Sequence, residues 1–183
     1  MRHRTSVAAL ALSLALAIPA AAQVSGPGTA APGQPTTYYP LYGATAGISI
    51  PAGRLGDDHA AGYALSGLVE FAVPNQAYAL RAEASFQRFA LKSGRTAGDD
   101  VSLFSIGPTI LYQVQQTPAQ TYLLGGIAIY NATGEGARPG FNLGGGIGFP
   151  LSGFSAIGEI RLHVMLADRK PILALPLSVG VRF

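Results

Sequence analysis

Histidine is the natural acid–base candidate in any chain, and this one has three: His3, His59 and His163. His163 lies in "RLHVML", with Glu159 and Arg161 at two-residue steps before it. His59 directly follows Asp57 and Asp58, and two carboxylates with an imidazole could hold a metal ion. Loops in open solvent use the same residues without a metal. The runs "GGGIG" and "GGI" are weak as phosphate loops, because no helix pattern follows either one. On these residues the sequence assigns no catalytic, cofactor-binding or metal-binding position.

A spacing of two organises the charged residues better than any catalytic motif does. In "YALRAEASFQRF", Leu80, Ala82, Ala84 and Phe86 share one face, and Arg81, Glu83, Ser85 and Gln87 the other. In "FSAIGEIRLHVML", Ala156, Ile160, Leu162, Val164 and Leu166 oppose Ser155, Glu159, Arg161 and His163. "FNLGGGIGF" sets Phe141, Leu143, Ile147 and Phe149 against Asn142, Gly144, Gly146 and Gly148. Strict alternation is the signature of a strand whose two faces meet different surroundings. Eight such segments run roughly over 41–51, 61–73, 77–91, 101–114, 120–131, 139–149, 154–166 and 172–183. The fourth and fifth alternate less cleanly, and their facing is left open. Each segment is long enough to cross a bilayer as a tilted strand.

Composition points the same way. Only 11% of residues are charged while 49% are hydrophobic, and the chain has 24 glycines. A soluble domain carries about 25% charged residues. The one continuous apolar run is at the start. Arg2, His3 and Arg4 precede "VAALALSLALAIPA" and "AAAQ", the layout of a secretory signal peptide over 1–22 with cleavage after Ala22. Residues 23–40, rich in Pro, Gly and Thr, read as a flexible leader, and 41–183 as the folded domain. The chain has no cysteine, so export brings neither disulfides nor a lipid anchor on Cys. Losing Arg2 and Arg4 leaves ten of the twelve basic residues against nine acidic ones, which gives no reason to expect nucleic-acid binding.

The connections between segments alternate as well. The first, third, fifth and seventh hold Arg54, Asp57, Asp58, Lys92, Arg95, Asp99, Asp100, Glu135, Arg138, Asp168, Arg169 and Lys170. The second, fourth and sixth, "PNQA", "QQTPAQ" and "PLSG", carry no charge. An even-stranded barrel with both termini in the periplasm has longer outer loops and short periplasmic turns, and the parity fits it. Aromatics also bracket apolar faces, as in Tyr63 and Phe71, Phe104 and Tyr112, and Phe141 and Phe149, like the two girdles of such a barrel.

The signal peptide, the eight segments and the terminal "LSVGVRF" together resemble small outer-membrane β-barrels of the OmpA/OmpX-type superfamily, over residues 41–183. The resemblance implies an all-β fold, an eight-stranded antiparallel up-and-down transmembrane barrel in the outer membrane of a Gram-negative-type bacterium. It implies an assembly signal at Leu177, Val179, Val181 and Phe183, read by the barrel-assembly machinery. It also implies periplasmic chaperones, outer-membrane lipid and lipopolysaccharide as partners of a monomer, with no cofactor. No peptidoglycan-binding domain follows the barrel, so cell-wall anchoring is not implied.

Eight strands leave an interior only wide enough for side chains. Glu70, Arg81, Glu83, Glu159, Arg161, His163 and Arg182 are the inward polar candidates, expected as a hydrogen-bonded ionic plug because buried charges must be paired. A hairpin centred on Asn75–Gln76 would set Glu70 opposite Arg81. The "PLSG" turn would set Gly144 opposite Glu159, and Asn142 opposite Arg161. A proton or ion path is the functional alternative to a plug. Three other readings compete with the membrane barrel. A soluble exported lipocalin-like barrel binding an apolar ligand would need an apolar lumen. A lipid-modifying barrel enzyme would need its His beside Ser and lipid, whereas His163 has no Ser two residues away and points inward. A surface-contact protein would need larger loops than these.

Overall fold

The computed structural model describes residues 39–73, 76–94, 98–115, 119–168 and 170–183. The signal peptide expected over 1–22 and most of the leader expected over 23–40 therefore lie outside the described residues. The strands are β1 (Leu41–Ala52), β2 (Gly62–Ala72), β3 (Tyr78–Phe89), β4 (Val101–Gln115), β5 (Gln120–Ala132), β6 (Gly136–Leu151), β7 (Phe154–Met165) and β8 (Ile172–Arg182). Each pairs antiparallel with its neighbour in sequence, and β1 closes on β8. Closure removes both sheet edges, so no strand offers an unpaired ladder. The seam is tied at its lower end by reciprocal backbone bonds between Tyr42 and Phe183, at 2.7 and 2.9 Å.

Parity decides which residues turn inward. On β3 and β7 the odd positions are inside, including Arg81, Ser85, Gln87, Glu159, Arg161 and His163. On β8 the even ones are, with Arg182 among them. The opposite parity leaves Val179 71%, Ile127 68% and Leu143 61% exposed. The six aromatics at 63, 71, 104, 112, 141 and 149 all stand on the outer face. Each of these pairs is separated by eight residues, roughly 26 Å along a strand. Tilt shortens that to about 20 Å of height, comparable with the apolar band of a membrane barrel.

Three expectations change, and one open facing is resolved. The uncertain facing of the fourth and fifth segments has a simple cause: many of their inward positions are apolar too, with only Ser105 and Thr109 as buried polar residues of β4 among the described residues. Leu103 and Leu111 of β4, and Leu124, Ala128 and Tyr130 of β5, are buried inside. The sixth turn is also placed differently. β6 runs on through Pro150 and Leu151, and Leu151 pairs with Phe154 across Ser152 and Gly153. Gly153, at φ 87°, takes the left-handed conformation the tight turn needs. The register therefore shifts by two: Gly146, not Gly144, opposes Glu159, and Gly144, not Asn142, opposes Arg161. The other expected pair, Glu70 with Arg81, is present. Val164 keeps outward parity but is buried between its ladder partners Phe141 and Leu173.

Finally, the first connection contains a short helix, α1 (Gly53–Asp58). Leu55 is the only large apolar side chain in that connection. It packs into a buried cluster with Phe89, Leu103, Tyr130, Met165 and Ile172 at the charged-loop end of the barrel. Arg54 of α1 reaches Glu135 of the β5–β6 connection at 2.6 Å, and Lys92 donates to the Gly56 carbonyl at 2.6 Å. The helix is thus held across the mouth by its apolar anchor and by polar ties that include a Lys92 backbone bond to the Asp58 carbonyl at 2.9 Å.

Candidate functional site: the barrel interior

Three arginines and three glutamates meet in the middle of the lumen, their side chains at most 8% exposed. They come from four strands, and closure brings them together. Arg81 on β3 donates to Glu159 on β7 at 2.7 Å and to Glu70 on β2 at 3.1 Å. Arg161 on β7 grips Glu83 on β3 with both terminal nitrogens, at 2.6 and 2.7 Å. It also donates through Nε to Glu159 at 3.0 Å and through Nη2 to the same carboxylate. Arg81 lies 3.6 Å from Glu83, which closes a ring of four charges between strands on opposite sides of the barrel. Arg182 on β8 extends it, donating to Glu70 and to Gln120 at 2.7 Å each.

All seven polar residues expected inside are on the inner face, and six of them form this network. His163 is the exception. It sits above the ring beside Tyr130, whose hydroxyl donates to the Phe141 carbonyl at 3.1 Å and lies 3.4 Å from His163 Nδ1. The residues that sequence reasoning missed are the tyrosines. Tyr122 donates to Glu159 at 2.6 Å, and its ring lies 5.9 Å from the Arg81 guanidinium carbon. The signal for it was present in β6. A Cβ on Gly146 would lie 2.5 Å from the Tyr122 ring, and one on Gly140 would lie 2.7 Å from the Tyr130 ring. A Cβ on Gly144 would lie 2.8 Å from the Arg161 backbone and 3.0 Å from its side chain. The glycines of "GGGIG" are therefore space for large inward neighbours, not a phosphate cradle.

The interior is layered. Beside the ring, Ala79, Leu111, Tyr122 and Leu124 form a small apolar cluster. Above it lies a belt of amides and hydroxyls: Ser49 to Gln87 at 2.6 Å, and Thr45 with Ser66 and Ser85 with Ser105 at 2.7 Å each. The apolar cluster around Leu55 follows. The polar part of the lumen thus runs from Arg182 and Gln120 at the strand ends up to the hydroxyl belt. Burial of the ion pairs strengthens them.

At the rim, His59 does not gather carboxylates. Its ring nitrogens lie 3.3 and 3.2 Å from the carbonyls of Leu55 and Asp99, tying the first loop to the β3–β4 loop. Among the described residues no group of three His, Asp or Glu has metal-binding geometry. Asp100 accepts from the Leu91 amide and from Arg88, both at 3.1 Å. Those bonds hold its carboxyl below the usual range.

Removing one partner from a buried ion pair strands the other charge, at a cost of about 3–5 kcal/mol. Arg81→Met should therefore destabilise the barrel by about that much in urea titration. Adding Glu159→Gln to Arg81→Met should restore part of the loss, because the coupled charge goes too.

No protein-family model matches the chain, and no curated protein matches it. Among solved structures, the crystal structure of Neisserial surface protein A (NspA) superposes with a TM-score of 0.62 at 19% identity, over 78% of this chain and 95% of that one. A major outer membrane protein from Thermus thermophilus superposes with a TM-score of 0.51 at 16% identity, over 79% of this chain and 99% of that one. At such identities the likeness is one of fold. The chain has the fold of the small eight-stranded outer-membrane β-barrels.

Proposed function

We propose that this chain is an integral outer-membrane barrel whose lumen is closed to solutes, with a structural or surface role and no catalytic one. One observation carries the reading: the barrel is inside-out. Arg81 is 1% exposed in the lumen while Val179 is 71% exposed outside. A soluble ligand-binding barrel needs the reverse, an apolar cavity and a polar exterior. Here the exterior presents Ile, Leu, Val and aromatics at consecutive outward positions, a surface that water does not tolerate over such an area. The likeness in fold to a surface protein and to a major outer membrane protein supports the same placement.

The closed lumen rests on the charge ring, which spans the barrel diameter, and on α1 across the mouth. With the lumen so filled, the role falls to the fold's presence in the membrane or to its charged loops. The strand-final Leu177, Val179, Val181 and Phe183 stand on the outer face, where an assembly machinery could read them during insertion.

Two measurements test this. Val179 lies four residues from Phe183, close to the middle of the apolar band, and Leu151 lies at a turn. In refolding into lipid vesicles, Val179→Lys should cost about 2–4 kcal/mol and Leu151→Lys about 0–1 kcal/mol. Equal costs would contradict the membrane placement. In a planar bilayer the wild-type protein should give no steady conductance, and open-channel steps would contradict the closed lumen.

A further inference from the structure

A small cavity of about 20 Å³ lies in the lumen between the charge ring and the Leu55 cluster. Its lining includes Thr45, Ser66, Gln87, Arg161, His163 and Pro176. One side chain here lacks the partner that its burial demands, and one backbone carbonyl lacks its ladder donor. Gln87 is 1% exposed; its Oε1 accepts from Ser49 at 2.6 Å, and its Nε2 is buried without a partner. Turning the amide over only exchanges the ends, leaving an oxygen unpartnered in place of a nitrogen.

The second group is on the backbone. The β7–β8 register runs from Ser155 with Arg182 to Ile160 with Leu177, breaks, and resumes at His163 with Ala174. Pro176 lies in that break, and proline has no N–H to give. Phe183 bonds reciprocally to β1, so by alternation the even residues of β8 bond to β7. The donor missing at Pro176 is therefore the one that Arg161 C=O would accept from. Both residues line the cavity.

We propose that this cavity is a binding site for water, holding one molecule at the break that Pro176 makes in the ladder. Size and charge together select the ligand. A cavity of this volume holds roughly one water and nothing larger. The arginines and glutamates of the adjacent ring are equal in number, so a cation or an anion would add an uncompensated charge. A neutral molecule that both accepts and donates satisfies an unpartnered amide and a carbonyl at once. The water joins the hydroxyl belt to the charge ring, and it explains how a mid-strand proline is accommodated.

The test is a crystal structure of the refolded barrel at a resolution that shows ordered water. The proposal expects a density peak within hydrogen-bond distance of the Gln87 amide, about 2.7–3.2 Å. An empty cavity, or a Gln87 amide turned onto a protein acceptor, would overturn it. Gln87→Leu should lose the peak. A peak kept at full occupancy in that variant would also overturn the proposal, because another group would then be holding the molecule.

Discussion

Equal numbers of arginines and glutamates, held out of water in a lumen one side chain wide, constrain everything else in this molecule. Each charge is acceptable there only because another strand supplies its counter-charge, and the strands meet only if the sheet closes. Arg81 and Glu83 on β3 face Glu159 and Arg161 on β7 across the barrel, so the ring and the closure depend on each other. Period two then leaves no choice about the outside. Once 81, 83, 159 and 161 turn inward, 80, 82, 160 and 162 turn outward, and those positions are Leu, Ala, Ile and Leu.

The same interior explains the glycines and tyrosines of β5 and β6. A lumen crowded with guanidinium groups has little room for two large side chains at the same height. Gly140, Gly144 and Gly146 give up their side chains so that Tyr130, Arg161 and Tyr122 can extend inward. Tyr122 then brings a hydroxyl to Glu159, which already accepts from two arginines. The hydroxyl belt and the apolar cluster around Leu55 fill the lumen on one side of this polar network without adding charges that would need partners.

Most of the fold was legible in the sequence because closure and facing follow from local pattern. Alternation in "YALRAEASFQRF" is enough to orient β3. What the sequence hid was long-range or ambiguous. Nothing in β3 or β7 alone says that Arg81 and Glu159 will meet, since their contact depends on strand number and shear. β4 and β5 carry Leu103, Leu111, Leu124 and Ala128 on the inner face as well as apolar residues outside, so alternation could not distinguish inside from outside. Leu55 sits in a Gly- and Asp-rich stretch that reads as solvated loop until the apolar cluster beneath it is known. The "PLSG" turn could be centred at either of two places, and the choice moved the partners of Glu159 and Arg161 by two residues.

The central claim is that a charged interior obliges an apolar exterior, so that this barrel needs an amphiphile to fold. The direct test is to refold the chain from Gln23 onward with and without detergent micelles or lipid vesicles, following circular dichroism and gel mobility before and after boiling. The account predicts strand-type dichroism and a boiling-dependent mobility shift only when the amphiphile is present. A folded, soluble monomer in plain buffer would contradict it.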